Sequence, residues 1–167
     1  MGSAAESILV GAPVAEVWDF YFEPRAWPSW VDGFGQVESS NGYPETGGIL
    51  RWRSVPAGRG SVEERVLEHE PRRLHRIAFS DELSEGELVT SFEIETDPAG
   101  EPGTLVSQEM EYRLRRRGPL GSLTDFLFVR PQIARSLARS LERLRSELEE
   151  IGALPGQGRD APERPSL

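Results

Sequence analysis

Glu64, His75 and Tyr112 are the side chains in this chain whose types and strand positions suit them to acid–base chemistry on an organic substrate. A carboxyl group withdrawn from water holds its proton more tightly and can act as a base near neutral pH, where an imidazole already titrates. A phenol beside them can donate to the oxygen of an enolate as it forms. Converged on one point, the three would enolise a carbonyl compound, the step shared by cyclases, dehydratases and isomerases. Without that convergence the same groups, with Gln108, would serve to anchor a bound molecule. Composition removes other chemistries. All 19 basic residues are arginine, so no lysine can form a Schiff base. Cysteine is absent, which removes thiol nucleophiles, disulfides and thiolate metal sites. No Gly-x-Ser-x-Gly elbow marks a serine hydrolase. The reading requires neither metal nor cofactor.

Strand registers must bring these residues together. Glu87 to Thr96 and Thr104 to Arg115 alternate strictly, with Leu88, Thr90, Phe92 and Ile94 on one face and Val106, Gln108, Met110, Tyr112 and Leu114 on the matching face of the partner. Thr90, Gln108 and Tyr112 therefore fall on a dry face, where an unpaired polar group costs about 1–3 kcal/mol. They must pair with one another, with water or with a ligand. Leu74 to Ser80 turns His75, Ile77 and Phe79 inward, and Leu50, Trp52 and Ser54 form the inward set of their strand. Between Gly60 and Glu70 two registers compete: Val62, Glu64 and Val66 inward, or Glu63, Arg65 and Leu67. Apolar content favours the first.

The remaining elements frame this sheet. Ser7 to Val10 reads as a strand, and Pro13 opens a helix carrying Val14, Val17, Trp18 and Tyr21 at helical spacing. Pro24 stops it, and Arg25 to Val31 packs Trp27 and Trp30 into a short helix or turn that plugs one end of the sheet. Six strands follow. Leu120 to Ile151 closes the chain as a long helix, its stripe Leu137, Leu141, Leu144, Leu148 and Ile151 facing the sheet. Pro131 predicts a kink there. Before it, Leu123, Phe126, Leu127 and Phe128 are too widely spread for one stripe and predict a segment facing a pocket as well as a core. Arg130, at the kink, is a candidate partner for Glu64, and His69 is expected to be exposed.

At 167 residues the chain fits one domain. Its net charge of -9, from 28 acids against 19 bases, repels phosphate backbones and anionic surfaces, so nucleic acid is not expected as a partner. No apolar run is long enough to span a bilayer and Met1 to Glu6 has no signal-like region, so a cytoplasmic protein is expected. From Gly152 the chain is rich in Gly and Pro and reads as a disordered tail, which places the folded domain at residues 6–151 and the tail at 152–167. One copy or a homodimer are both compatible with the sequence.

This order of elements resembles the helix-grip fold of the START-like, Bet v 1-like superfamily, in particular its bacterial polyketide cyclase/dehydrase branch, SRPBCC. The residues that carry the resemblance are Ala12 to Trp18, the Trp27-Pro28-Ser29-Trp30 turn, Glu64-Arg65-Val66, Glu70 to Leu74, Gly103-Thr104 and Arg117 to Gly121. The resemblance implies an α+β fold in which a strongly curved antiparallel sheet, in the order β-α-α-β6-α, wraps around a long C-terminal helix. It also implies a hydrophobic cavity between sheet and helix for a lipid, a polyketide or a similar apolar molecule. With the registers above, that cavity would be lined by Trp30, Phe34, Trp52, Glu64, His75, Ile77, Phe79, Thr90, Phe92, Gln108, Met110 and Tyr112, and by Phe126 and Arg130 from the helix. In aromatase/cyclase members of the superfamily, a pocket tyrosine and arginine position and enolise a poly-β-ketone. The tyrosine position falls on Phe34 here, and Arg65 matches the arginine only in the second register. Plant hormone receptors of the superfamily carry a pocket glutamate in a run similar to Glu64-Arg65-Val66. Three functions are compatible with these features: a carrier or sensor of an apolar ligand, an enzyme using Glu64 or His75 as base with Tyr112 as donor, and a co-chaperone-like interaction role.

Overall fold

The computed structural model describes residues 1–115 and 129–153. Strand β1 (Gly2–Val10) leads to helices α1 (Val14–Tyr21) and α2 (Trp27–Trp30), followed by strands β2 (Phe34–Asn41), β3 (Ile49–Ser54), β4 (Ser61–Glu70), β5 (Leu74–Ser80), β6 (Ser84–Thr96) and β7 (Pro102–Leu114), and by helix α3 (Arg130–Ala153). All seven strands join one sheet in the order β1-β7-β6-β5-β4-β3-β2, every pairing antiparallel. The sheet is open, with β1 and β2 at its edges. This is the α+β helix-grip arrangement.

Local chemistry explains the elements. Pro13 is extended (φ −60°, ψ 145°) directly before α1, and Glu16 lies in the first turn, where a negative charge meets unpaired N–H groups. Val17, Trp18 and Tyr21 form the buried stripe of that helix. Register shifts between Phe34 and Gln36, Val37 and Ser39, and Val66 and Glu68 are bulges that bend the sheet around its contents. Arg51 with Glu63, Arg76 with Glu87 and Arg113 with Glu85 cover the outer face with exposed ion pairs. Such pairs contribute little each, and keep that face wet.

Several expectations change. Strand β1 begins at Gly2, not Ser7, and pairs with β7 along its whole length. Gly2 lies beneath the ring of Tyr112, where a Cβ would come within 2.3 Å of Cζ, so the first residues of the chain belong to the sheet. Leu137, Leu141, Leu144 and Leu148 are buried as the stripe requires, but Ile151 is 52% exposed. Pro131 lies in α3 two residues after Val129, which is in a π-helical turn, and the stretch before it, on which the expected kink depends, lies outside the described residues. The segment holding Leu123, Phe126, Leu127 and Phe128 lies outside the described residues. So does the tail from residue 154, while Gly152 and Ala153 are helical. Ile94, expected inward, is 75% exposed, because β6 beyond Phe92 extends past the elements that cover the sheet. No helix among the described residues is long and apolar enough to cross a membrane.

Candidate functional site

Between the inner face of the sheet and helices α2 and α3 lies a cavity of about 860 Å³. Its walls are Trp30, Phe34, Leu50, Trp52, Ile77, Phe79, Leu88 and Met110, with Ile133 and Leu137 from α3. It opens beside Ala57, Gly58, Glu82 and Leu83, which line it and are exposed. The volume lies in the range of pockets that enclose one small organic molecule.

Pairing of β4 with its neighbours decides the register left open above. Glu64 faces Leu50 on β3 and Phe79 on β5, so Val62, Glu64 and Val66 turn inward and Arg65 is exposed. The indole Nε1 of Trp52 donates to Glu64 Oε1 at 2.8 Å. Desolvation raises the Glu64 pKa, opposed by that hydrogen bond and by the charge of Arg59. Glu64 is half-buried and lines the cavity. Arg130 does not reach it. The Arg130 guanidinium instead donates to the carbonyl and hydroxyl of Ser3 at 2.8 and 3.1 Å, tying α3 to the first strand.

A second polar group spans β5, β6 and β7. His75, Thr90 and Gln108 are register partners in succession, all inward and at most 4% exposed. Gln108 Nε2 donates to Tyr21 Oη at 3.1 Å, and that hydroxyl is 3.1 Å from Thr90 Oγ1. Burial pushes the Tyr21 phenol up to about 12, and raises Tyr43 as well, with the charge of Glu64 adding to both. Both phenols are therefore neutral donors at physiological pH. His75 Nδ1 lies 3.0 Å from Nδ1 of His69. Desolvation, reinforced by His69, lowers the His75 pKa to about 3, so this imidazole is neutral too.

At the cavity opening, Arg59 Nε donates to the buried carboxylate of Asp81 at 2.6 Å, and its guanidinium lies over the rings of Trp52 and Phe79. Asp81 is fixed in turn by the backbone N–H groups of Leu83 and Ser84 at 2.8 and 2.7 Å. Opposite, Asp32 accepts from Ser136 Oγ at 2.8 Å and from Arg139 at 2.7 Å, which joins the end of α2 to α3.

Of the residues expected from the sequence, Trp30, Phe34, Trp52, Glu64, His75, Ile77, Phe79, Thr90, Gln108 and Met110 line the cavity. Phe92, Tyr112 and Arg130 do not. Phe92 packs edge-on against Trp18 and Tyr21 in the main core. Tyr112, 1% exposed, faces Gly86 on one side and Gly2 on the other, and its ring lies over Gly2 against β1, in space that a side chain there would fill. The triad of Glu64, His75 and Tyr112 is thus not assembled in the cavity. Phe126 lies outside the described residues.

Sequence reasoning missed Tyr21, Tyr43, Arg59, Asp81 and Asp32 as site residues, and placed His69 at the surface. Tyr21 had a signal: a polar tip at the end of an otherwise apolar helical stripe. His69 had none that strict alternation could show. The bulge between Val66 and Glu68 shifts the parity of β4 by one, and so turns His69 toward His75.

Comparison with known proteins follows the same lines. The profile of a family described as polyketide cyclase/dehydrase and lipid transport matches residues 1–149. Among curated proteins, no sequence matches. A protein of Thermus thermophilus has a similar structure, with a TM-score of 0.66 at 18% identity over 91% of this chain and 100% of its own. The Aha1 dimer of Colwellia psychrerythraea gives 0.61 at 15% identity, over 92% of this chain and 99% of that one. DynU16, a protein in the dynemicin biosynthetic locus, gives 0.57 at 22% identity, over 88% of this chain and 47% of that one. At these identities the likeness concerns the fold.

Proposed function

Since the chain belongs to the polyketide cyclase/dehydrase and lipid transport family, we propose that it is a binding protein whose cavity holds one largely apolar small molecule, as a carrier or sensor. One observation carries this reading. Among the described residues, the buried side-chain atoms without a hydrogen-bond partner are Trp30 Nε1, His75 Nε2 and Gln108 Oε1, and all three residues line the cavity. Buried polar atoms are nearly always satisfied, and an unpaired one costs about 1–3 kcal/mol. A largely apolar cavity lined by residues with unmet hydrogen-bonding capacity suits a molecule with a few polar atoms on a hydrophobic body. Mass spectrometry of the purified protein under native conditions, followed by solvent extraction, tests it. A retained apolar molecule, or saturable quenching of tryptophan fluorescence by a polycyclic aromatic probe, is expected. A protein that neither retains nor takes up such a molecule contradicts the reading.

A second reading, as a cyclase or dehydratase, is favoured by the desolvated carboxyl of Glu64. There Glu64 would act as base, and Tyr21 or Tyr43, in place of Tyr112, would donate to the enolate. Turnover of an oligo-β-ketone mimic that is lost in Glu64→Gln would support it.

A further inference from the structure

We propose that the row formed by His75, Thr90 and Gln108 recognises a hydroxyl group, phenolic or alcoholic, on an apolar ligand. This rests on the reading of the cavity as a binding site for an apolar molecule and specifies the polar group that molecule must carry.

Across β5, β6 and β7 the row is a polar level bordered by apolar ones. His75 faces Thr90 across β5 and β6, and Thr90 faces Gln108 across β6 and β7. Adjacent strands lie about 4.8 Å apart, so the three side chains span roughly 10 Å. On one side the next inward level is Ile77, Leu88 and Met110; on the other it is Phe92 and Val106. A ligand lying against this wall meets polar partners on the row and hydrocarbon at Ile77, Leu88 and Met110, while Phe92 and Val106 belong to the core behind it.

Hydrogen-bond bookkeeping then selects the group. Gln108 donates through Nε2 to Tyr21, which leaves Oε1 without a partner in a side chain 4% exposed. A carboxamide oxygen only accepts, so the ligand must bring a donor. His75 is different. Its Nδ1 is committed to His69, and Nε2 is the atom left over. When His75 donates across the Nδ1–Nδ1 contact, Nε2 presents a lone pair; when His69 donates, Nε2 carries the proton. The row therefore offers one fixed acceptor and one nitrogen that switches between donor and acceptor with the tautomer. A hydroxyl beside Gln108 satisfies Oε1, because it can donate, and the switching nitrogen of His75 accommodates a second polar atom of either kind. A ketone or an ether cannot donate, and would leave Gln108 Oε1 buried and unpaired.

The probes that test this are pyrene, 1-hydroxypyrene and 1-methoxypyrene, titrated against tryptophan fluorescence. They share an apolar body, and the last two differ in whether the oxygen can donate. The expected result is that 1-hydroxypyrene binds about tenfold more tightly than 1-methoxypyrene, the size of one buried hydrogen bond. In Gln108→Leu, checked for a cooperative thermal transition, the two should bind within about twofold. Should that variant not fold, Gln108→Met provides the same comparison. Equal affinities in the unmodified protein, or a preference that survives both substitutions, would overturn the assignment while leaving the apolar cavity as a binding site. Failure of all three probes to bind would overturn the binding reading along with it.

Discussion

The Nδ1 atoms of His69 and His75 lie 3.0 Å apart, one ring half-buried at the end of β4 and the other only 2% exposed in the cavity wall. Such a contact holds one proton, so it persists while at least one ring is neutral and is lost when both are protonated. Desolvation lowers the His75 pKa from 6.5 to about 3, and lowers that of His69 also, against the charge of Glu45.

Acid should therefore weaken the fold through this pair. In the unfolded chain His75 takes up a proton near its ordinary value of 6.5, whereas in the folded chain it resists down to about 3. Its contribution is complete above pH 6.5 and declines as pH falls toward 3, at up to about 1.4 kcal/mol per pH unit. Urea denaturation between about pH 7 and about pH 4.5 should show a loss of about 2 kcal/mol, with a shallower slope in His75→Phe.

Glu64 acts with the opposite sign. Its pKa is raised in the folded state, so it favours folding below its ordinary value of 4.5 and opposes folding once pH exceeds the raised value. Replacing it by Gln removes the desolvated charge and retains an oxygen to accept from Trp52. We expect Glu64→Gln to be more stable at pH 7 by roughly 1 kcal/mol, a Tm rise of about 2–4 °C. Differential scanning calorimetry would show it, and an unchanged or lower Tm would mean that the carboxylate is better compensated than its surroundings indicate.

Asp32 is the anchor between α2 and α3. Hydrogen bonds from Arg139 and Ser136 hold its carboxyl below the ordinary 3.8 against a desolvation penalty, and Arg143 adds a longer ion pair at 3.4 Å. Asp32→Ala should cost about 1–2 kcal/mol at pH 7. The cost is present above pH 3.8 and should vanish as pH falls through the lowered folded value, because protonated Asp32 loses its advantage over alanine. Comparing denaturation midpoints of the two proteins at neutral pH and in acid checks both parts.

Gly86 permits the closest approach in the sheet. A Cβ at this position would lie 2.0 Å from the Glu111 carbonyl oxygen and 2.8 Å from Tyr112 Cα, both backbone atoms of β7 that cannot swing aside. Gly86→Ala should destabilise the protein by about 3 kcal/mol. Chemical denaturation at neutral pH would measure it, and amide exchange should accelerate along β6 and β7 first.

Much of the architecture was legible because it follows from periodicity. The leucine stripe from Leu137 to Leu148 and the alternation in β6 and β7 each give a local rule for which face is buried, and, Ile94 apart, the structure covers those residues. Inward placement of Glu64, His75, Thr90 and Gln108 follows from the same rule. Where the rule is interrupted, the reading fails. One extra residue near Val66 inverts the parity of β4 and brings His69 to His75; Gly2, opposite Tyr112 on β1, leaves room for its ring, which does not line the cavity. Neither effect is visible in β4 or β7 alone, since each depends on what the neighbouring strand places opposite.

The amino-acid sequence by itself determined the order of elements, the apolar inner surface and the absence of thiol and lysine chemistry, because these depend on composition and on side-chain spacing within one element. Only the tertiary structure decided which polar groups meet: Trp52 with Glu64, Tyr21 with Thr90 and Gln108, His69 with His75. Contacts between residues on different strands and helices depend on bulges, register and helix placement, and those are set by the packing of the whole chain.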